Sequence, residues 1–539
     1  VSKKHKNQDE LGGWQEKLML SSQGKRLGYA KNESADAHRM RVRVRIVNLL
    51  MLVMGVGVLS RMLFLTVFER GKYHLKSENN NIEHIRQYAS RGVILDQLGR
   101  KMVENTGDER GGRKYLLGEQ AAHLLGYMSQ VREDELGCEY GLCYYLGDWT
   151  GRTGVEKVYE SRLKGRDGGK VVELDVKGAT VRELGVNEAE QGTDVTLSIN
   201  SELQRIVAEA VGERKGGVVA LDMQGKVMAL YSGPSYDPNL FTVQSDEVEK
   251  QALLRDKESE YFLNRVTSGV YAPGSVFKLV TAYAGLESGE IDQETLIEDT
   301  GEIVIDQYRY GNWYFDQYGK TEGEINLERA LARSNDIFFY RLGEKVGVDE
   351  IVSWASKMGL GERTGIELPG ESEGLVPTRL WKERTTGERW FLGNTYHLSI
   401  GQGDLTATPL QIARMTLAAV SGRRCQVSLL QDSEVECVDL GISSKNIEIV
   451  KSGMRAACAT GGTAFSFFEF GPYVLCKTGT AQHAGQTSDE VLPHAWITVA
   501  YPGDNPEMIL TVMLDSAGEG SYEAGPVAKE ILGRWQEVE

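Results

Sequence analysis

Residues 46–68 form a continuous apolar run in which Asn48, Ser60, Arg61 and Thr66 are the only polar members. At about 1.5 Å rise per residue, a helix of this length spans a hydrocarbon core of about 30 Å, which predicts a membrane helix. Arg61 falls towards the outer third, where its stem can carry the charge to the interface. Ahead of the run stand Arg39, Arg41, Arg43 and Arg45, and residues 1–45 hold eleven Lys/Arg against five Asp/Glu. This basic flank predicts residues 1–45 in the cytoplasm, as a solvated arm, and everything after about residue 69 outside. A cleaved leader would show an apolar stretch of about 7–15 residues and an Ala-x-Ala-like site, and neither is evident.

The whole chain nevertheless carries a formal charge of −16, so the part beyond the span is strongly acidic. Such a field repels phosphate backbones and excludes nucleic acid as a partner. With 41% hydrophobic and 26% charged residues the chain is ordinary globular protein, not a disordered one. All six cysteines (Cys138, Cys143, Cys425, Cys437, Cys458, Cys476) lie beyond the span, where disulfides persist. Cys138 and Cys143 flank a turn-like Glu-Tyr-Gly-Leu and could close a hairpin. The other pairings stay open. No Cys-x-x-Cys occurs and the histidines are scattered, so no metal site is expected.

From residue 69 to about 200 the chain is polar, with short β-rich runs at 92–96, 170–175 and 194–199 broken by Gly-rich turns. This predicts a β-containing stalk over 69–200. From 201 the pattern changes to helix 202–211 and strands 217–221 and 226–231 around a hairpin signal at 222–225. Helical segments follow at 275–286, 327–332, 337–346, 349–358 and 409–420. Apolar β-branched runs at 473–476, 494–501 and 508–514 and a helix at 526–535 close the chain. The expectation is one large α+β domain over 201–539, an antiparallel sheet covered by helices.

Three motifs in that domain could carry chemistry. Ser275-Val-Phe-Lys278 opens a helix, and one turn of separation puts hydroxyl and amine on one face. A hydroxyl nucleophile needs a neighbouring base, and a desolvated lysine beside another cation can lose its proton near neutral pH. Alone the motif is weak, since Ser22-Gln-Gly-Lys25 repeats it in the basic tail. Ser334-Asn-Asp336 joins two helices, where Ser334 could equally be a helix cap. Lys477-Thr478-Gly479-Thr480 follows an apolar strand: Gly479 leaves room for a ligand along the strand, and Lys477 offers a cation for a carboxylate. Order and spacing together are the set found in penicillin-binding proteins and serine β-lactamases.

On these motifs the chain resembles the class B penicillin-binding proteins, monofunctional peptidoglycan transpeptidases. The resemblance extends to Arg91-Gly-Val-Ile-Leu-Asp96 and Gly154-Val-Glu156 in the stalk, and to Thr364-Gly-Ile-Glu-Leu-Pro-Gly-Glu371, Ser399-Ile-Gly-Gln-Gly403 and His494-Ala-Trp496 beyond it. Asp336 in the third place of Ser-x-Asp, with 365–377 and 390–403, looks like the elongation-type, PBP2-like branch, with the division type as the alternative.

The resemblance implies a transpeptidase fold in which Ser275 attacks the penultimate D-Ala of a stem peptide. Lys278, kept neutral by burial and by Lys477, would take the serine proton. Ser334 would pass a proton to the leaving amine and Asp336 would orient Lys278. The N–H groups of Ser275 and Thr480 would bind the oxyanion, and Lys477, Thr478, Gly479 and Thr480 the substrate carboxylate. No cofactor or metal is implied. The implied partners are stem peptides, β-lactams and a membrane-embedded glycan polymerase of the shape, elongation and division type. A D,D-carboxypeptidase shares the acyl-enzyme, whereas a β-lactamase would need a dedicated deacylating water, and a penicillin sensor would need a signalling domain that residues 1–45 are too few to supply. Cys476 stands where the family usually has Gly; a buried thiol, a partner for Cys458 and a group narrowing the cleft are its open readings.

Overall fold

The computed structural model describes residues 33–79, 82–107, 112–139, 142–175, 178–242, 246–483 and 491–538. Two compact units divide the chain, residues 1–84 with 171–184, and residues 85–170 with 185–539. In the first, helix α1 (Glu33–Leu63) runs into a π-helical turn, Phe64–Phe68. Within it, Arg39–Phe68 is long and apolar enough to cross a membrane, and none of it is buried in protein. The Thr66 hydroxyl donates to Met62 O at 2.8 Å, inserting a side chain into the helical ladder where the turn widens.

The second unit opens with a small four-stranded sheet in the order Val195–Thr196, Ile94–Leu95, Lys101–Asn105, Arg113–Tyr115. The sharp turn after Leu95 is held by the buried Asp96 carboxylate, which accepts from Leu98 N, Arg100 N and Arg100 Nε. Beneath it Arg91 and Arg113 meet the fully buried Glu156. Such a cluster is tolerated in an interior because each charge finds an opposite one. The apolar residues here, Ile94, Leu124, Val155 and Leu197 among them, join the catalytic region in one continuous core.

That core is built on a five-stranded antiparallel sheet. Its strands are β1 (Gly216–Asp222), β2 (Val227–Gly233), β3 (Leu475–Ala481), β4 (His494–Tyr501) and β5 (Met508–Leu514). They are ordered β2-β1-β5-β4-β3, so β3 is an edge. Both faces are covered. Helices α2 (Ser201–Val211) and, at the far end of the chain, Ala524–Gln536 bury Val218, Ile497 and Val512 on one side. On the other, α3 (Lys278–Glu287), α4 (Leu327–Arg333), α5 (Asp336–Val346) and α6 (Pro409–Ser421) form a helical layer with Val219, Trp496 and Met513. Strand alternation sends successive residues to opposite faces, which explains why both strand faces read as apolar.

All six cysteines are paired. Cys138–Cys143 clips a hairpin as expected, Cys425–Cys437 joins two paired strands, and Cys458–Cys476 ties helix α7 (Ser444–Cys458) to β3. The last pair decides between the readings of Cys476. It belongs to the core on the face away from Lys477, so it neither narrows the cleft nor remains a thiol. Several expected strands differ in extent. The run at 473–476 becomes the start of β3, which continues through Lys-Thr-Gly because Leu475 to Ala481 pair without a break with Ala500 to His494. The stalk strands expected at 92–96 and 194–199 shrink to two residues each, Ile94–Leu95 and Val195–Thr196, paired in parallel.

Candidate active site

Ser275 lies in a single 3-10 turn, Gly274–Phe277, immediately before α3. Gly274 has φ +57°, and a Cβ there would come within 2.7 Å of Thr480 O. A Cβ on Gly479 would come within 2.9 Å of Pro273 O. Two missing side chains thus let the nucleophile turn pack directly on the edge strand. Trp496 Nε1 donates to Ala272 O at 3.0 Å and Gly274 N to Gly401 O at 2.8 Å, fixing the turn from both sides.

Ser334 ends α4 in the left-handed region, φ 52°, and Asn335, not Ser334, caps α5 by accepting from Phe338 N at 2.9 Å. Giving the cap to Asn335 frees the Ser334 hydroxyl for the cleft. Lys477 Nζ donates to Ser334 Oγ at 2.9 Å and Lys278 Nζ reaches the same oxygen at 3.3 Å. Lys278 Nζ also donates to Ser334 O and to Asp336 Oδ1, both at 2.7 Å. Ser334, Lys278, Asp336 and Lys477 are therefore one hydrogen-bonded cluster, from three segments distant in the chain.

Ser275 lines the same cleft, of about 650 Å³, with Ser334, Asp336, Thr478, Gly479 and Thr480. No hydrogen bond joins Ser275 to Lys278 among the described residues. The amine is turned to the carboxylate of Asp336, the stronger acceptor.

Both lysines are fully buried. Burial holds Lys278 below the usual lysine range, opposed by the Asp336 carboxylate. Burial drives Lys477 further down, and the neighbouring Lys278 charge adds to this. The repulsion between the two amines acts on both, so the expected influence of Lys477 on Lys278 has its counterpart in that of Lys278 on Lys477. Asp336 hydrogen-bonds Lys278, whereas Lys477 has only neutral oxygens, Ser334 Oγ and Thr478 O. The lysine whose charge has least support is the one on the strand.

Sequence reasoning missed what holds this cluster. Asp299, 3% exposed, accepts from Gly301 N at 2.9 Å, Glu322 N at 2.9 Å, Asn335 Nδ2 at 2.8 Å and Asn312 Nδ2 at 3.2 Å. Asn312 Oδ1 in turn accepts from Asp336 N at 3.2 Å. A lone Asp thirty-five residues ahead of the motif carries no local signal of this role.

A sheet sandwiched between helical layers, with a serine turn, a Ser-x-Asp loop and a Lys-Thr-Gly edge strand around one cleft, defines a serine acyl-transfer enzyme of the penicillin-interacting class. Residues 216–533 match the penicillin-binding protein transpeptidase domain, and residues 108–197 the penicillin-binding protein dimerisation domain. The chain belongs to the penicillin-binding protein transpeptidases. It is 33% identical over 453 residues to the peptidoglycan D,D-transpeptidase MrdA of Haemophilus influenzae, covering 78% of this chain and 68% of that protein. A crystal structure of Pseudomonas aeruginosa PBP2 in complex with WCK 5153 superposes with a TM-score of 0.73 at 32% identity, over 84% of this chain and 96% of that one. A chain from a peptidoglycan synthase complex, solved for its coordination of polymerization and crosslinking, gives 0.76 at 28% identity, over 93% and 99%.

Proposed function

We propose that this protein is an elongation-type peptidoglycan D,D-transpeptidase acting through Ser275. The observation that carries the reading is the buried cluster of two amines, one carboxylate and one hydroxyl beside that serine. The neutral form of Lys278, whose share burial raises, accepts the Ser275 proton, and Asp336 stabilises the ammonium that results. Ser275 Oγ bonds to the penultimate D-Ala carbonyl carbon while the Ser275 and Thr480 N–H groups bind the oxyanion, each donor contributing about 3–4 kcal/mol. Ser334, hydrogen-bonded to both amines, relays a proton to the departing D-Ala nitrogen. Lys477, Thr478, Gly479 and Thr480 hold the terminal carboxylate along the strand edge, and the Lys477 amine becomes charged as that anion arrives. The amine of a second stem peptide then attacks the ester, releasing Ser275 and forming the crosslink.

Residues 1–45 form the cytoplasmic tail, 46–68 the membrane span and 69–200 a pedestal that carries the catalytic domain, 201–539, outside the membrane. The basic flank supports this orientation. The similarity to a chain of a peptidoglycan synthase complex supports a glycan polymerase embedded in the same membrane as the partner. The test is labelling of the full-length protein with fluorescent penicillin, followed by mass spectrometry of peptides released from nascent peptidoglycan. Wild type labels, Ser275→Ala does not, and dimeric peptides form. Persistent labelling of the alanine variant overturns the nucleophile; monomeric products alone make the enzyme a carboxypeptidase.

A further inference from the structure

Two histidines and an aspartate converge at the far end of the Lys-Thr-Gly strand, beyond the residues used in acyl transfer. His494 opens β4, Asp515 follows β5, and His483 stands two residues past β3. One potential ligand atom of each lies within 4.8 Å of the others, the only such trio of His, Cys, Asp and Glu among the described residues. His494 Nδ1 is 3.0 Å from Asp515 Oδ1. Ser516 Oγ lies 2.9 Å from Asp515 Oδ1 and 3.1 Å from His483 Nε2, which is itself 3.1 Å from Leu492 O. The His494 and Asp515 atoms are about as close as two ligands of one ion, which stand about 2.0–2.2 Å from it, while His483 lies somewhat farther out.

The hydrogen bonding of these groups is frustrated. His494 Nδ1 faces the Asp515 carboxylate, which requires a proton on that nitrogen, and also the Ser516 N–H at 3.3 Å, which requires its lone pair. A neutral imidazole satisfies one neighbour at a time. A divalent cation between Nδ1 and Oδ1 relieves the contact of these two electron-rich atoms, in exchange for the long 3.3 Å bond from Ser516 N–H.

We propose that His483, His494 and Asp515 form a site for a divalent transition-metal ion, with zinc the best chemical match. Two imidazole nitrogens and one carboxylate oxygen suit that ion and leave a fourth position for water. Every cysteine is in a disulfide, so no thiolate competes for the metal. The separation of up to 4.8 Å is wider than a bound ion allows, so binding draws His483 inward. His483 lines the catalytic cleft, and His494 packs edge-on against Tyr271, centroids 5.0 Å apart, four residues before the nucleophile. The ion would thus brace the substrate end of the edge strand.

The experiment uses the full-length protein in detergent, stripped with chelator, incubated with zinc chloride, desalted and analysed for metal. In parallel, cobalt(II) is titrated and its visible absorption followed. Wild type retains one zinc per chain, shows the intense ligand-field bands of low-coordinate cobalt, and melts at a higher temperature with zinc than without. His483→Ala and Asp515→Asn, each melting with metal-free wild type in the absence of zinc, lose affinity at least 100-fold and show no zinc-dependent rise in melting temperature. If His483→Ala does not fold, Asp515→Asn alone decides. Zinc retention by wild type no greater than by a folded variant, or cobalt spectra unchanged by the substitution, overturns the site.

Discussion

Asp336→Asn isolates the one carboxylate that supports charge on the buried lysines. Lys278 Nζ and Asp336 Oδ1 are 2.7 Å apart, with the lysine side chain fully buried and the aspartate side chain 14% exposed. At an effective dielectric constant of about 20, two unit charges at this distance attract by roughly 6 kcal/mol. Part of that offsets desolvation, and removing one partner of a buried pair costs about 3–5 kcal/mol. The lysine has an escape, because it can shed its proton. Burial already holds Lys278 below the usual range, and without Asp336 its pKa falls further.

The sign of the pH dependence follows from this. The unfolded chain keeps lysine charged up to about pH 10.4, so below the folded-state pKa the variant carries the whole cost of an unpaired ammonium. As pH rises through the folded-state pKa values of variant and then wild type, the amine is neutral in both and the difference disappears. Chemical denaturation of both proteins between pH 6 and pH 10 should show a destabilisation of about 3–5 kcal/mol at the acidic end that shrinks steadily towards the alkaline end. Acylation by fluorescent penicillin should fall about 100-fold, the ammonium formed on proton transfer having lost its counter-charge. A destabilisation constant across this range refutes the buried-charge reasoning, and unchanged acylation refutes the role given to Asp336.

Ser334→Gly and Ser334→Ala both remove the hydroxyl shared by the two lysines, and both should slow acylation about 100-fold. Because Ser334 is left-handed, glycine relieves strain that alanine keeps, and Ser334→Gly should be the more stable of the two by about 1 kcal/mol in denaturant titration. Asp299→Asn sets an amide N–H against a ring of donors, leaving buried groups unpaired; it should cost about 2 kcal/mol in stability and lower the acylation rate without touching substrate. His123, whose Nε2 donates to Tyr261 O at 2.8 Å, is held by burial to a pKa of about 4, opposed by that hydrogen bond. The unfolded chain binds this proton below about pH 6.5 and the folded one does not, so stability is lost as pH falls from 6.5 towards 4, by about 2 kcal/mol at pH 5. His123→Gln, which can still donate to Tyr261 O, should remove that slope when melting is followed from pH 7 to pH 5.

What could be read from the chain alone was whatever local chemistry encodes. The apolar run at 46–68 needs no tertiary contact to be long enough for a bilayer, and the helices and strands around Ser275, Ser334 and Lys477 follow from periodicity and turn residues. The identities of nucleophile, amines and carboxylate are likewise written in three short motifs. The Cys138–Cys143 clip was legible because its ends are only five positions apart in the chain.

Packing decided the rest, because it fixes distances between atoms far apart in the chain and the exclusion of water around them. It chose Asn335 over Ser334 as the cap, so that one hydroxyl meets two amines. It turned Cys476 to the back of the sheet and Lys477 towards the Ser334 hydroxyl, and gave the weaker claim on a proton to Lys477 by setting Asp336 against Lys278. Asp299 and Asp515 look unremarkable in sequence. They acquire their neighbours only when a loop folds under the Ser-x-Asp turn and when two antiparallel strands come into register.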